Sequence, residues 1–166
     1  MKNLSAIPVL VLAFMLQTAV VSQITLLSGA ADLVLVILVS WSLQEQVKSS
    51  WHWAALAGLL GAFVSGLPPY TLLLSYFFAV GLARYVLHQT WQTPILALFT
   101  VTFFSTLGLH LVTYLVLVFR GNVISFGDAL ALITLPSVFL NLLIALPIHS
   151  FIHDLGLWVY PLEEMV

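Results

Sequence analysis

Near the end of the chain, in HSFIHD, His149 and His153 stand one helical turn apart with Asp154 alongside, a spacing at which two imidazoles can share a metal ion. The catalytic zinc form of that pattern needs a glutamate directly after the first histidine, and Ser150 occupies the place. Histidines at a helix C-terminus, favoured by the dipole, are the simpler reading. The serines have no nucleophile-elbow context and no second acid pairs with a buried histidine, so Ser/His/Asp catalysis is not indicated. Cysteine is absent, which removes disulfides, thiol nucleophiles and thiolate metal sites together.

The remaining polar residues are set into apolar runs. Asp32 opens the stretch GAADLVLVIL. At the outer end of a helix such an acid is favoured by the dipole; were the helix to begin at Ile24, the carboxylate would lie deeper and become a candidate for binding a partner or ligand. Thr102, Thr106, His110 and Thr113 recur along one face of a helix, suited to interhelical hydrogen bonds or to the wall of a ligand cavity, with His110 the member able to titrate near neutrality. Ala54, Gly58, Ala62 and Gly66 recur every four residues, a small-residue stripe that lets a neighbouring backbone approach. In LPSVFLNLLIALPIH, Pro136 and Pro147 share a helix face, and each ring withholds an amide, from the carbonyls of Leu132 and Leu143 respectively. In a membrane such carbonyls need other partners, so the proline face is expected to point into protein. Asn141, roughly 140° around from Pro136, asks for protein on a second side.

These residues are positioned by a very apolar chain. Of 166 residues, 62% are hydrophobic and 6% charged, with a mean hydropathy of +1.16. That composition reads as an all-α, polytopic integral membrane protein. The apolar runs 4–22, 30–43, 52–67, 69–88, 94–119 and 128–154 are expected to be six transmembrane helices in a single domain, 1–166, separated by turn-rich breaks. Thr93 and Pro94 mark the start of the fifth; the capping-box spacing of Ser125 and Asp128 places the start of the sixth near Asp128. The second run is short for a crossing, so it begins earlier, at Ile24, or thins the bilayer. The four Lys and Arg residues are scattered, which gives no nucleic-acid footprint. Six crossings put Lys2, Lys48 and Arg84 on one side and Arg120 on the other, predicting both termini in the cytoplasm. Trp41, Trp51, Trp53, Trp91 and Trp158 map to that same side as an interface belt, and Arg84 is free to snorkel to water.

Several of these runs resemble a known family. SGAADLVLVILVSWSL is similar to the second helix of the rod shape-determining protein MreD family, GLLGAFVSG to its Gly-rich third helix, and the paired prolines of LPSVFLNLLIALPIHSFIHDL to its last helix. Ala31 stands where the family usually has proline, and Ala62 where it often has aspartate. The resemblance implies a non-enzymatic subunit, without cofactor, of the bacterial elongation machinery in the inner membrane. Its implied partners are the single-span protein MreC and, directly or not, the cell-wall polymerase/transpeptidase pair and the MreB filament. The implied fold is that of the substrate-binding subunits of energy-coupling-factor vitamin transporters, which supplies the alternative function, a small-molecule-binding membrane subunit.

Overall fold

The computed structural model describes residues 6–89 and 93–160; Lys2 and Trp91 lie outside them. Six helices follow in chain order: α1 (Ala6–Ala19), α2 (Leu33–Ser42), α3 (Ser50–Val64), α4 (Pro69–Leu87), α5 (Pro94–Phe119) and α6 (Phe126–Val159). The last three are long and apolar enough to cross a membrane, whereas α1, α2 and α3 have 14, 10 and 15 residues. Large apolar side chains such as Leu12, Met15, Phe63, Phe119, Phe139 and Leu143 are exposed around the outside, a surface suited to lipid and not to water.

Chemistry at the breaks sets the helix ends. Pro69 and Pro94 open α4 and α5, where a missing amide costs nothing. Thr93 is the N-cap of α5, although its hydroxyl makes no capping bond. Ser125 is the N-cap of α6, so that helix starts at Phe126, two residues before the expected Asp128. Ser65 ends α3 and Gly66 follows with φ +63, a left-handed conformation that stops the helix. Gly66 therefore terminates α3 and does not belong to a packing stripe; nothing lies within 4 Å of where its side chain would be. The buried face of α3 is Ser50, Trp53, Ala54, Ala57, Gly58 and Gly61, with Ala62 half-buried beside it. At Gly58 a side chain would sit 2.6 Å from Leu73 Cδ2 and 2.9 Å from its Cα, so α4 crosses here almost backbone on backbone.

The second run departs most from expectation. It does not begin at Ile24 as helix. Thr25–Leu26 (β1) and Gly29–Ala30 (β2) form a short antiparallel hairpin, and helix α2 starts only at Leu33. Every residue of α2 is buried. At about 1.5 Å per residue it is a half-length helix enclosed by the others.

Pro136 explains where the hairpin docks. Its ring leaves the carbonyl of Leu132 without an intrahelical donor. The preceding stretch of α6, Ala129–Thr134, is widened into π-helix, and the Leu132 carbonyl accepts the amide of Ser28 in the hairpin turn at 3.0 Å. The approach is so close that a side chain on Gly29 would lie 2.6 Å from the Ile133 carbonyl oxygen and 2.8 Å from Pro136 Cβ. Pro136 is accordingly buried. Pro147, on the same angular face, is exposed, because the hairpin covers only the first part of α6. The expectation that both rings face protein holds for one of them.

The tryptophans also divide. Trp51 and Trp158 are exposed, but Trp41 and Trp53 are fully buried and stack at 4.3 Å, with Tyr160 at 6.2 Å from Trp41. Two members of the expected belt are thus core residues that tie the end of α2 to the start of α3.

Candidate functional site

A helix that starts inside a protein must find partners for four backbone amides. For α2 they come from named side chains. The amide of Asp32 itself donates to Asn141 Oδ1, that of Leu33 to Gln17 Oε1 at 2.7 Å, that of Leu35 to Asp32 Oδ1 at 2.9 Å and that of Val34 to the Asp32 carboxylate; the Val36 amide then makes the first intrahelical bond, to the Asp32 carbonyl at 3.2 Å. Asp32 is therefore the N-cap of α2. It does not sit at an outer interface. Its carboxylate also takes a hydrogen bond from the Tyr76 hydroxyl of α4, a residue that is itself 2% exposed.

The chain entering α2 is fixed in the same way. Gln17 Nε2 donates to the Ala31 carbonyl at 2.8 Å, and the amides of Ala30 and Asp32 donate to Ser137 Oγ at 3.1 Å and Asn141 Oδ1 at 2.6 Å. Asn141 Nδ2 in turn donates to Thr106 Oγ1 at 2.9 Å, and the Thr106 hydroxyl donates to the Thr102 carbonyl at 2.8 Å. The result is a polar junction. It joins α1 through Gln17, α4 through Tyr76, α5 through Thr106 and α6 through Ser137 and Asn141 to the first turn of α2.

Of the residues singled out in the sequence, Asp32, Thr106, Asn141 and Pro136 meet at or beside this junction. The fifth-helix stripe splits. Thr102 and Thr106 are packed inside, whereas His110 and Thr113 line a cavity of about 240 Å³ between α5 and the π-wound start of α6, walled mostly by apolar side chains such as Leu111 and Ile133. Gly58 belongs to the α3–α4 contact, Ala62 is half-buried one turn further along α3, and Gly66 and Pro147 stand apart. Gln17, Gly29, Tyr76 and Ser137 went unnoticed in the sequence. Gln17 had a legible signal, being the lone amide within the apolar run AIPVLVLAFMLQTAV; the others depend on contacts between distant segments.

The opposite end of α2 has its own polar group. Arg84 Nη1 donates to the carbonyls of Val47 at 2.9 Å and of Ser42 and Gln44 at 3.4 Å, so this guanidinium is fixed onto the loop after α2 and does not simply reach for water. The buried Gln44 donates through Nε2 to the Ile152 carbonyl of α6 at 3.0 Å. Beside it lies a cavity of about 510 Å³ whose walls include Glu45, His88, His149 and His153. His149 and His153 have ring centroids 6.4 Å apart, and among the described residues no three His, Asp or Glu side chains come together to hold a metal ion.

No protein-family model, curated protein or solved structure matches this chain.

Proposed function

We propose that the chain is a non-enzymatic scaffold of the bacterial inner membrane, a subunit of the MreD type in the rod-elongation complex that holds the transmembrane helix of a single-span partner such as MreC. In this reading all six helices belong to the membrane domain, with the hairpin and α2 together making one composite crossing. Irregular backbone is tolerated at such depth where protein encloses it and supplies its hydrogen bonds. The polymerase/transpeptidase pair and the MreB filament are reached through the same assembly.

One observation carries the reading. Five polar side chains around the start of α2, Gln17, Asp32, Thr106, Ser137 and Asn141, are engaged with one another or with nearby backbone, while apolar side chains cover the outside. That is the economy of a body built to hold its shape and offer its flanks. Co-purification of the detergent-extracted protein with a single-span membrane protein is the expected result; a chain that elutes alone from membranes containing such partners speaks against the scaffold. Both termini and the Arg84 end are cytoplasmic in this arrangement. A cysteine at Lys48 then reacts only with reagents applied from the cytoplasm and one at Asn122 only from outside, and the reverse pattern would invert the topology.

The cavity of about 240 Å³ favours a second reading, a small-molecule-binding subunit of the vitamin-transporter kind, since His110 and Thr113 of the fifth-helix stripe line it among apolar side chains. Mass spectrometry of the purified protein for a retained small molecule separates the two.

A further inference from the structure

The Asp32 carboxylate accepts hydrogen bonds from the amides of Val34 and Leu35 and from Tyr76, yet no Lys or Arg among the described residues pairs with it. Arg84 is bound to carbonyls at the far end of α2, Lys48 lies in that same loop, and Arg120 is exposed after α5. Asp32 is surrounded by protein but keeps part of its surface open to a cavity of about 210 Å³, lined also by Phe14, Gln17, Gly61, Ser65 and Tyr76. Tyr76 is seven residues inside the start of α4 at Pro69, which places the acid about 10 Å below that end.

An apolar groove adjoins the cavity from the side, with the Phe14 ring packed against Gly61 as a wall common to both. A groove of about 260 Å³ runs between α1 and α3, walled by Val11, Met15, Thr18, Leu60 and Phe63, and it shares Phe14 and Val64 with the Asp32 cavity. Its rim is unpartnered: Met15 is 62% exposed and Phe63 89% exposed. An acid without a cation in the cavity that adjoins an apolar groove defines its complement by charge and shape.

We propose that the α1–α3 groove receives a partner's transmembrane helix that carries one basic side chain, and that this side chain passes Phe14 into the adjoining cavity to reach Asp32. The proposal rests on the scaffold reading and deepens it by naming where the partner lies and what it must bring. A lysine or arginine suits the site because its aliphatic stem can follow the apolar groove while its head meets the carboxylate. Neutral occupants, a lipid tail or a purely apolar helix, fill the groove but leave the hydrogen-bonded acid without a countercharge.

The test uses the full-length protein in lipid vesicles and synthetic Leu-rich helices of about 20 residues bearing a single Lys, Gln or Leu placed about 10 Å from one end. Association is read by energy transfer between a labelled peptide and the labelled protein. The Lys peptide is expected to bind about tenfold more tightly than the Leu and Gln peptides, in the range of a strong interhelical polar contact. Asp32→Asn retains a capping acceptor for α2 and should erase that margin. Met15→Trp, on the exposed groove wall, should weaken the Lys peptide without disturbing the junction, and it keeps the site testable if the Asp32 variant fails to fold. Equal binding of the Lys and Leu peptides, or a margin that survives either substitution, overturns the proposal. A protein that co-purifies with a single-span partner yet shows no Lys preference would refute this site alone and leave the scaffold standing.

Discussion

At its first turn α2 has four amides to satisfy and at its last turn four carbonyls, and the two ends use different chemistry. The first turn relies on its own cap, Asp32, for the Val34 and Leu35 amides and on Gln17 of α1 for that of Leu33, while Asn141 and Ser137 of α6 hold the cap and the chain that leads into it. At the last turn, Leu43 N–H caps the Val39 carbonyl, Gln44 covers Trp41 through its backbone and Ser40 through its side chain, and Arg84 reaches Ser42. The cap at the beginning of α2 is thus held in place by long-range contacts, whereas most of its end relies on neighbouring residues. Where partners must come from elsewhere, a single loss leaves a buried group with no substitute. Where they come from neighbouring backbone, or from a half-exposed cation near water, a loss is softened.

That contrast can be broken or sharpened by substitution. The largest effect is expected at Gly29, where the hairpin meets α6 backbone to backbone. Gly29→Val should cost about 3 kcal/mol or abolish folding in detergent, because neither the Ile133 carbonyl nor Pro136 can move aside. Thermal unfolding followed by fluorescence gives the number, and an undisturbed transition would mean the hairpin is not docked as described. Gly156→Ala makes the matched change at the other end of α2. Its new methyl group would run into the Gln44 side chain, so the loss should be smaller, since an amide side chain can turn away.

Gly58→Leu comes next, at about 2 kcal/mol or more, through forced separation of α3 from Leu73 of α4; unchanged assembly would show that the helices cross elsewhere. Asn141→Leu removes the acceptor for the Asp32 amide and the donor to Thr106, and should cost about 1–3 kcal/mol in the same assay. Arg84→Leu, its counterpart at the far end, is expected to cost about 1 kcal/mol, because only its bond to the Val47 carbonyl, at 2.9 Å, is short, those to Ser42 and Gln44 being 3.4 Å. If Arg84→Leu proved more damaging than Asn141→Leu, the ranking of the two ends would be reversed. The smallest effect belongs to Leu27, which holds a φ of +55 in the exposed hairpin turn. Leu27→Gly should relieve about 1 kcal/mol of backbone strain, less the entropy glycine adds to the unfolded chain, for a shift near zero.

Much of this was legible in the residues. Apolar run lengths and the prolines at 69 and 94 set five of the six helices to within about three residues at each end, since those signals act locally, whereas α6 runs on to Val159, past the expected end at 154. The demand of Pro136 and Asn141 for protein neighbours was also readable, because each carries an unmet hydrogen-bonding need wherever it is placed. Spacing was a poorer guide to what meets those needs. Ala54, Gly58, Ala62 and Gly66 repeat evenly, but only the first two are buried, and the last stops the helix. Trp41 and Trp51 look alike in sequence, yet one is core and the other surface.

By itself the sequence determined that the chain is helical and apolar enough for a membrane, and that a handful of polar atoms inside it must be satisfied. Only the tertiary structure decided that Asp32 begins a half-length helix inside the protein, that Ser28 takes the carbonyl freed by Pro136, and that Gln17, Tyr76, Thr106 and Asn141 gather around one turn. The physical reason is range. Hydrophobicity and helix caps act within a few residues of the chain, whereas a buried hydrogen bond can be closed by any donor that folding brings within about 3 Å, and that identity is written nowhere in the local pattern.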